Sequence, residues 1–230
     1  IVQPADHSAL EAALRLKDGA DAEVIVVSGQ SEPDDDTLKR GLAMGADKAI
    51  YLSGDGFENA DDAVVARALR EVIERLGGVD LVISGATTLD TGQSQLGLRL
   101  AEALGWPQIV GAWSIEAENG CLQTVRRDGD RCVLVEADFP AVILMSAGAL
   151  KPRYPNGVRL INVYRREGKM ADALEQWDVA DLLTPDELSP LIKIVGRDFP
   201  SERERGERLA GTSEEAAHAV VQALEQRLRG

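Results

Sequence analysis

The sequence predicts an α/β fold, built as a doubly wound and mostly parallel sheet with antiparallel strands late in the chain and a C-terminal helical arm. Over the first half, helical patterns alternate with short apolar runs across short connections, which favours parallel strands covered by helices on both faces. After Pro107, the pairs Asn119-Gly120 and Asp128-Gly129 separate strand-like runs, and Asn-Gly is a strong hairpin signal. A regular amphipathic pattern at the C-terminus predicts the arm.

The first half predicts four helices and three strands. Apolar residues at three- and four-residue spacing predict helices over 8–18, 37–44, 60–76 and 93–104, and Gly105 suits the end of the last helix. Runs rich in Val and Ile predict buried strands over 23–28, 49–52 and 81–84. A doubly wound sheet normally starts on a strand, whereas this chain starts on a helix, so we expect a further strand upstream of Ile1.

The second half has a different pattern. Strands are predicted over 109–116, 121–127, 131–136 and 141–146, followed by an extended segment over 151–156 and a short helix over 158–166. In the tail, Thr184-Pro185-Asp186-Glu187 has the composition of a helix start. A short strand is predicted over 191–195, an exposed charged linker over 197–209 and a helix over 213–228.

This pattern indicates two parts, an α/β domain over 1–183 and a C-terminal linker and arm over 184–230. The arm has little to bury against its own domain. A capped helix of such regularity usually has a docking face, so we expect the arm to pack on a partner subunit. The alternative is a frayed, solvated tail.

The segment 80–105 carries the clearest candidate for a binding site. A short strand with Val82 and Ile83 leads into a loop rich in Gly, Thr and Asp, and a helical pattern starts at Gln93. Free N–H groups at a helix N-terminus point the same way as the helix dipole and attract anions. We therefore expect residues 91–96 to hold a nucleotide phosphate. The alternative is an ordinary strand-to-helix turn that binds nothing.

Composition argues against several classes of protein. The formal net charge of −14 disfavours a nucleic-acid partner, which would need a basic face. No apolar run approaches the ~20 residues that span a bilayer, and no signal peptide is visible. His7 and His218 lie far apart without cysteine neighbours, so the spacing of a metal site is missing.

Cys121 and Cys132 are the only cysteines, and they fall on the two arms of a predicted hairpin. A disulfide between them is compatible with that placement. Two cysteines in a chain of this size fit a reducing compartment better than a disulfide framework. We therefore expect a cytoplasmic (bacterial) or organelle-matrix location rather than secretion.

Signatures of catalysis are missing from the sequence. It contains no G-x-S-x-G, Walker lysine or G-x-G-x-x-G motif. With one histidine near each terminus, a Ser-His-Asp arrangement is hard to build. The acidic runs Asp34-Asp35-Asp36 and Asp61-Asp62 stand at predicted helix starts, where carboxylates complement the helix dipole. The residues alone thus predict a nucleotide-binding protein without catalytic machinery of its own.

Several blocks of sequence resemble the β subunit of the electron transfer flavoproteins. They are, in order, PADHSALEAALRLKD (4–18), LKRGLAMGADKAIYL (38–52), SGATTLDTGQSQLG (84–97) with LAEALGWPQ (100–108), and FPAVILM (139–145) followed by KPRYP (151–155). The C-terminal AGTSEEAAHAVVQAL (210–224) is similar to the final arm of that family. The resemblance covers nearly the whole chain, and LAMGADKA and the D-x-G-Q-x-Q-x-G loop are its most specific parts.

The resemblance implies a Rossmann-like fold of the adenine nucleotide alpha hydrolase type, paired with an α subunit. In that family the heterodimer carries FAD, held mainly by the α subunit, and the β subunit holds AMP, or a second FAD in electron-bifurcating members. The chain would then help to carry electrons from a flavin dehydrogenase or larger redox complex to an acceptor. It would have no substrate turnover of its own.

The family's nucleotide site maps onto the start of the first helix, the end of the first strand and the loop before the fourth helix. The residues are Gln3, Pro4, Ala5, Asp6, Gly29, Gly85, Ala86, Thr87, Thr88, Leu89, Asp90, Thr91, Gly92, Gln93, Ser94, Gln95 and Leu96. The side chains of Asp90, Gln93, Ser94 and Gln95 would supply polar contacts. The backbone N–H groups of 92–96 would face the phosphate.

The chain departs from the family at four places, the first of which is the family's first strand, with its lysine and Pro-Asp pair, absent from this sequence. Ala5 stands where an aromatic residue is usual, Lys151 replaces a common Glu, and NGVRLINVYRREGK (156–169) stands where many members carry a leucine-tipped recognition loop and a lysine run. Two other functions therefore remain open. One is a structural β-type subunit of a larger flavin-dependent dehydrogenase complex, and the other is a stand-alone adenine-nucleotide hydrolase of similar topology.

Overall fold

The structure of the chain is a computed structural model. It describes residues 3–29, 35–57, 60–87, 92, 94–118, 120–165, 172–192, 195–196, 198, 206, 209 and 211–228. Two compact units divide the chain, Ile1–Lys193 and Ile194–Gly230. No helix among the described residues is long and apolar enough to cross a membrane.

The predicted helices of the first unit are confirmed, with shifted ends. The helices are α1 (Pro4–Gly19), α2 (Asp35–Met44), α3 (Asp62–Leu76), α4 (Leu96–Leu104) and α5 (Gly157–Val163), and α6 (Ser213–Leu228) belongs to the second unit. α1 begins before residue 8 because Pro4 suits the first helical position, where an N–H is not needed. α4 begins after Gln93, since Gly92 has a φ of 65°, in the left-handed region that interrupts a right-handed helix.

The strands form two sheets in the first unit. They are β1 (Ile25–Ser28), β2 (Lys48–Ser53), β3 (Leu81–Gly85), β4 (Gln108–Glu118), β5 (Cys121–Asp128), β6 (Arg131–Asp138), β7 (Ala141–Met145) and β8 (Leu174–Asp178). One sheet has the order β1-β2-β8 and the other β3-β7-β4-β5-β6. All pairs are parallel except β4–β5 and β5–β6. The predicted, mostly parallel α/β fold with late antiparallel strands is confirmed, and its strands are divided between two sheets.

Helix α1 packs on residues of both sheets. Ala9 and Ala12 lie in a buried cluster with Ile143 and Met145 of β7. Leu14 lies in a second cluster, together with residues of α2 and β2. Alanine side chains let the helix approach the strands closely. The position of α1 is therefore determined by two packed layers, which fixes the place of its N-terminus.

The other helices cover the remaining strand faces. Val64 and Val72 of α3 pack with Ile50 and Leu52 of β2 in a third buried cluster, which also holds the 3₁₀ turn Val179–Asp181 through its first residue. Ala101 of α4 packs with Val142 and Leu144 of β7 in a fourth cluster. α4 thereby begins at the end of the sheet where β3 and β7 finish.

The two cysteines lie at opposite ends of the β5–β6 hairpin. Cys121 is paired in register with Asp138, and Cys132 with Arg127. Six residue steps along an antiparallel strand correspond to about 20 Å, whereas a disulfide needs Cα atoms within roughly 7 Å. A disulfide within the chain is therefore excluded, and both thiols are free.

The tail of the first unit differs from its prediction. Glu187 accepts hydrogen bonds from the backbone N and the Oγ1 of Thr184, at 2.9 and 2.7 Å. The predicted helix start therefore forms, but it ends after a single turn, since Pro190 disfavours helical geometry at Ser189. The strand predicted over 191–195 is wrong for the described residues 191, 192 and 195. Strand β8, whose sequence LEQWD is largely polar, was missed.

Asp61 explains the missing strand, because its carboxylate binds the backbone that a strand would use. One oxygen accepts hydrogen bonds from the first-turn amides of α3, both at 3.0 Å. The other accepts from the N–H groups of Leu191 and Ile192, at 2.7 and 2.9 Å. Burial opposes ionisation of Asp61, but the four N–H groups outweigh it and hold the pKa of this carboxyl below its usual value.

We expect Asp61→Asn to separate the capping of α3 from the binding of the backbone N–H groups of Leu191 and Ile192. Asn is also a good helix cap, so the first-turn amides of α3 should keep their protection from hydrogen exchange. The amide nitrogen of Asn cannot accept a hydrogen bond, so the amides of Leu191 and Ile192 should exchange at least about tenfold faster. Asp55→Asn, the same change of charge in a nearby exposed turn, is the control. Unchanged exchange at 191 and 192 in Asp61→Asn would contradict this assignment.

Candidate functional site

Three segments meet at the carboxyl end of β3, namely the start of α1, the loop after β3 and the start of α4. We call residues 3–6, 84–87 and 94–98 the β3-end site. The backbone N of Gly85 donates a hydrogen bond to Oδ1 of Asp6, at 3.0 Å. The side chain of Gln3 donates to Oγ1 of Thr87, at 2.7 Å. The N-terminus of α1 is thus joined directly to the loop.

Two glycines allow close contacts at the site. Gly85 lies against the start of α1, and Gly97 of α4 lies against Leu144 and Ser84. A Cβ on Gly85 would lie 2.4 Å from Oδ1 of Asp6 and 2.9 Å from the Cβ of Ala5. A Cβ on Gly97 would lie 2.6 Å from Cδ2 of Leu144 and 3.1 Å from Oγ of Ser84. All four distances are shorter than normal contacts, so the site depends on the absence of side chains at these two positions.

The N-terminus of α1 lacks a side-chain cap from its N-cap residue. Gln3 makes no capping hydrogen bond, because its amide is directed to Thr87. The first bond within the helix runs from His7 N to Gln3 O, at 3.0 Å. Helix geometry therefore leaves the N–H groups of Ala5 and Asp6 without a partner inside α1.

The N-terminus of α4 is likewise not capped by the side chain of its N-cap residue. Its first bond runs from Arg99 N to Gln95 O, at 2.9 Å, so the N–H groups of residues 96–98 have no partner inside the helix. The side chain of Gln95 makes no cap, since its Oε1 accepts from Nη2 of Arg99 at 3.0 Å. No acidic residue stands in the first turn of α4. This end of the site therefore presents donors and a positive helix dipole.

Asp6 introduces a negative charge at the α1 side of the site. Burial raises the pKa of Asp6, although the N–H of Gly85 and the neighbouring His7 act in the opposite direction. A carboxylate in the first turn also complements the dipole of α1. The two helix ends consequently differ in charge, although both have N–H groups without a partner inside the helix.

The structure brings together the first and the third group of predicted site residues. Gln3, Asp6, Gly85 and Thr87 are joined by hydrogen bonds, with Pro4, Ala5 and Ala86 between them in the chain. Gly92, Ser94 and Gln95 are exposed just before α4, and Leu96 begins it.

The remaining predicted site residues fall elsewhere. Gly29 follows β1 in the other sheet, where a Cβ would lie 3.4 Å from the ring of Phe57 and 3.5 Å from Val65. Five predicted site residues lie outside the described residues, namely Thr88, Leu89, Asp90, Thr91 and Gln93.

Ser84, Gly97 and Arg99 were not predicted as site residues. Ser84 contacts the start of α4 across from Gly97, and Arg99 binds the N-cap residue Gln95. Gly97 could have been predicted as a site residue, since a glycine inside an amphipathic helical pattern often has a packing reason. The indication for Arg99 is weaker and consists of its four-residue spacing from Gln95.

The described residues of the site offer groups that can bind a ligand. N–H groups that have no partner inside their helix suit an anion, and the carboxylate of Asp6 suits a hydrogen-bond donor. Within the described ranges, no group of three His, Cys, Asp or Glu side chains could hold a metal ion. The β3-end site is therefore best matched by a ligand that carries both an anionic and a hydroxylated part.

Comparisons with known proteins point to one family. A family model of the electron transfer flavoprotein domain matches residues 1–182. The electron transfer flavoprotein subunit beta of Thermoanaerobacterium thermosaccharolyticum is 31% identical, over 99% of this chain and 86% of the relative. The subunit of the same name from Megasphaera elsdenii is 34% identical, over 75% and 67%. The acryloyl-CoA reductase electron transfer subunit gamma of Anaerotignum propionicum is 27% identical, over 99% and 87%.

Proposed function

This chain belongs to the electron transfer flavoprotein family, and from that premise we propose that it is the nucleotide-binding β-type subunit of a heterodimeric electron carrier. The observation that carries the proposal is the meeting of two helix N-termini, neither capped by its N-cap side chain, at the end of β3. The chain helps to pass electrons from a flavin dehydrogenase to an acceptor and turns over no substrate of its own.

The proposed ligand of the β3-end site is AMP or FAD, with a further FAD shared with the α subunit. Both ligands contain an adenosine and a phosphate, which match the hydroxylated and anionic parts expected at the site. Among the described residues, those that we propose to contact the ligand from the α1 side are Gln3, Pro4, Ala5, Asp6 and 85–87. From the α4 side they are Gly92, Ser94, Gln95 and Leu96.

The C-terminal arm is the proposed attachment to the α subunit. Helix α6 has no buried residue, and Val220, Val221, Leu224 and Leu228 are all exposed. These four residues follow helical spacing and form one apolar stripe. A helix of this length gains most of its stability from packing such a stripe, so a partner surface is its natural complement. We propose that the linker and arm together span 184–230, of which 184–193 belong to the first compact unit.

We expect the double change Val220→Glu and Leu224→Glu to weaken association with the α subunit at least about tenfold. The reason is that two carboxylates would stand in the centre of the apolar stripe. Because both side chains are exposed in the free chain, its thermal unfolding should change little. Titration of labelled chain with α subunit measures the affinity.

The matched control is Gln222→Glu with Gln226→Glu, which adds the same charge to other faces of α6. This control should bind within about twofold of the wild type, since charges at a rim change affinity little. Equal weakening by both double variants would show that charge, and not the stripe, determines the association.

A second exposed apolar surface is proposed for the dehydrogenase or larger redox complex. Tyr154 is 88% exposed, and Val158 and Ile161 lie exposed on α5 nearby in sequence. A spacing of three residues places Val158 and Ile161 on one face of α5, and Tyr154 stands in the segment just before that helix. Such a group of exposed apolar side chains is typical of an interaction surface.

The second candidate function is a structural subunit of a larger flavin-dependent dehydrogenase complex. The similarity to an electron transfer subunit of acryloyl-CoA reductase favours it. Size-exclusion chromatography separates the two candidates. A carrier elutes as a heterodimer that passes electrons by itself, whereas a built-in subunit elutes only with the large complex.

We propose that the complex works in the bacterial cytoplasm or an organelle matrix. Cys121 and Cys132 are free, and Cys132 is exposed, as suits a reducing compartment. Alkylation of intact cells before lysis should label Cys132. Recovery of Cys132 in a disulfide with another molecule would contradict this location.

Co-expression with the α partner tests the proposed function. The expected product is a yellow heterodimer whose chains co-elute and which releases an adenine nucleotide on denaturation. A colourless preparation without any adenine nucleotide would contradict the proposal. A stable monomer or homodimer that turns over ATP would instead favour the hydrolase alternative.

A further inference from the structure

Strand β6 (Arg131–Asp138) lies at the edge of its sheet. Within the described part of the chain it pairs with β5 alone, in continuous register over its whole length. An edge strand presents unpaired N–H and C=O groups on its outer side, and natural proteins usually protect such an edge with a Lys, a Pro or a bulge. The central residues 132–135, Cys-Val-Leu-Val, contain neither Lys nor Pro. The middle of β6 is therefore open to pairing with a further strand.

The geometry of the β5–β6 hairpin determines which backbone groups of β6 point outward. A loop of two residues joins Asp128 to its paired residue Arg131, and the closing pair of such a hairpin exchanges backbone hydrogen bonds. Bonded and non-bonded pairs then alternate along the antiparallel ladder. The N–H and C=O groups that point away from β5 therefore belong to Cys132, Leu134 and Glu136.

The side chains in the middle of β6 are apolar on both faces of the sheet. Leu134 is 60% exposed on one face and Val133 is 38% exposed on the other, because successive side chains of a strand alternate between faces. Such side chains gain stability from a neighbour directly across an adjacent strand. An unpaired backbone edge combined with exposed apolar side chains is typical of a strand that pairs with another chain.

The two ends of the hairpin differ in charge, which bears on the orientation of a partner strand. Arg127 stands near the turn, with its guanidinium 4.1 Å from the ring centre of Trp113. Glu136 stands near the other end of β6, where it accepts a hydrogen bond from Gln123 at 2.9 Å. Both charged side chains lie on the face that carries Leu134. An antiparallel copy of the hairpin would bring its basic end to the acidic end of the first, whereas a parallel copy would bring like charges together.

We propose that β6 is an interface with a second copy of this chain, in which two β6 strands pair antiparallel about a twofold axis at Leu134. The two five-stranded sheets then join into one continuous sheet, and the heterodimer becomes an assembly with two copies of each chain. Closed twofold interfaces of this kind are the commonest in homo-oligomers. The inference goes beyond the proposed function and does not depend on a bound nucleotide.

The register follows from the outward backbone groups, because a residue that bonds outward must face another such residue. With the axis at Leu134, this exposed apolar side chain lies opposite its own copy. Glu136 then lies opposite Cys132 of the copy, whose neighbour on β5 is Arg127. The acidic end of each hairpin thereby approaches the basic end of the other, across a small side chain.

Sedimentation velocity of the purified heterodimer over a range of concentrations tests the interface. The wild type is expected to change from one copy of each chain to two of each as the concentration rises. Leu134→Lys should weaken this self-association at least about tenfold, because two ammonium groups would stand opposite each other at the axis. The control is Val158→Lys, the same kind of change at a side chain that is 70% exposed on α5, and it should self-associate as the wild type does.

Leu134→Cys, in a chain that also carries Cys132→Ser, tests the register. Residues that exchange backbone hydrogen bonds across antiparallel strands lie about 5.5 Å apart, within the reach of a disulfide. Mild oxidation should therefore join two copies of this variant. In the wild type, four residue steps would separate the two Cys132 Cα atoms by about 14 Å, beyond the limit of roughly 7 Å. The wild type should accordingly stay uncrosslinked.

Four results would overturn the inference. A heterodimer that keeps one copy of each chain at every concentration would show that no second copy binds. Equal weakening by Leu134→Lys and Val158→Lys would show that added charge, and not the edge of β6, determines the association. A crosslink through Cys132 in the wild type would contradict the antiparallel register. Protection of the outward amides of β6 from hydrogen exchange that is already complete in the one-to-one heterodimer would assign this edge to the α subunit.

Discussion

Arg153→Ala is expected to lower the free energy of unfolding by about 3 kcal/mol, the usual cost of leaving a buried charge without its partner. The side chain of Glu11 in α1 is only 5% exposed. Its carboxylate accepts hydrogen bonds from both the backbone N and Nε of Arg153, at 3.0 Å each. Without the guanidinium, this carboxylate would remain buried in α1. Chemical denaturation at neutral pH measures the loss.

Arg15→Ala is the matched control, because Arg15 binds the same carboxylate from the solvent side. Its side chain is 54% exposed and lies 2.9 Å from Glu11. An exposed ion pair of this kind contributes about 0.5 kcal/mol, so the control should unfold nearly as the wild type does. Similar losses in both variants would contradict the distinction between buried and exposed partners.

The pH dependence of the free energy of unfolding provides a second test of the ion pair between Glu11 and Arg153. Burial opposes its ionisation, but the hydrogen bonds from Arg153 and Arg15 outweigh burial and hold the pKa of Glu11 below its ordinary value of 4.5. The stabilisation is therefore present above that pH and is lost as the pH falls through the lower pKa of the folded protein. In Arg153→Ala the hydrogen bonds from Arg15 and from the backbone N of residue 153 remain, but those from the guanidinium are lost. The pKa of Glu11 should therefore rise relative to the wild type, and the difference in the free energy of unfolding between the two proteins should narrow towards acid pH.

Gly85→Ala is expected to cost about 2 kcal/mol of stability through overpacking and to abolish nucleotide binding. The new Cβ would lie 2.4 Å from Oδ1 of Asp6 and 3.1 Å from its backbone N. Since Asp6 belongs to the first turn of α1, the clash would push the helix N-terminus away from the loop after β3. Nucleotide retained by the purified heterodimer and the thermal midpoint are the two measurements.

Gly19→Ala is the control for this substitution. Gly19 ends α1, and a Cβ there would meet no heavy atom within 4 Å. The change should be neutral or slightly stabilising, because Ala restricts the unfolded chain more than Gly does. Full nucleotide content in Gly85→Ala would contradict the placement of the ligand at the β3-end site.

Elements with strong local periodicity could be predicted from the sequence. The apolar faces of α1, α3 and α4 were predicted from apolar residues at three- and four-residue spacing. Strand β7, which is buried throughout, was predicted from a continuous apolar run. Strand β8 could not be found in this way, because its sequence is polar and its pairing with β2 joins residues far apart in the chain. The failed strand over 191–195 had the right composition, but the carboxylate of Asp61 competes for its N–H groups.

The candidate site was predictable in one half and not in the other. The loop after β3 and the helix following it form a local pattern whose anion-binding chemistry can be read from the sequence. The approach of α1 to that loop is a contact between Asp6 and Gly85, 79 residues apart. Periodicity contains no information on such a contact, and only the resemblance to a family placed residues 3–6 at the site.

The most direct test of the account is the quantity and identity of the nucleotides that acid releases from the purified heterodimer. Mass spectrometry should find an adenine nucleotide, AMP or FAD, in a ratio of one per β-type chain in addition to the FAD of the α subunit, and Gly85→Ala should lack it. A heterodimer that releases the FAD of the α subunit alone would contradict a nucleotide at the β3-end site.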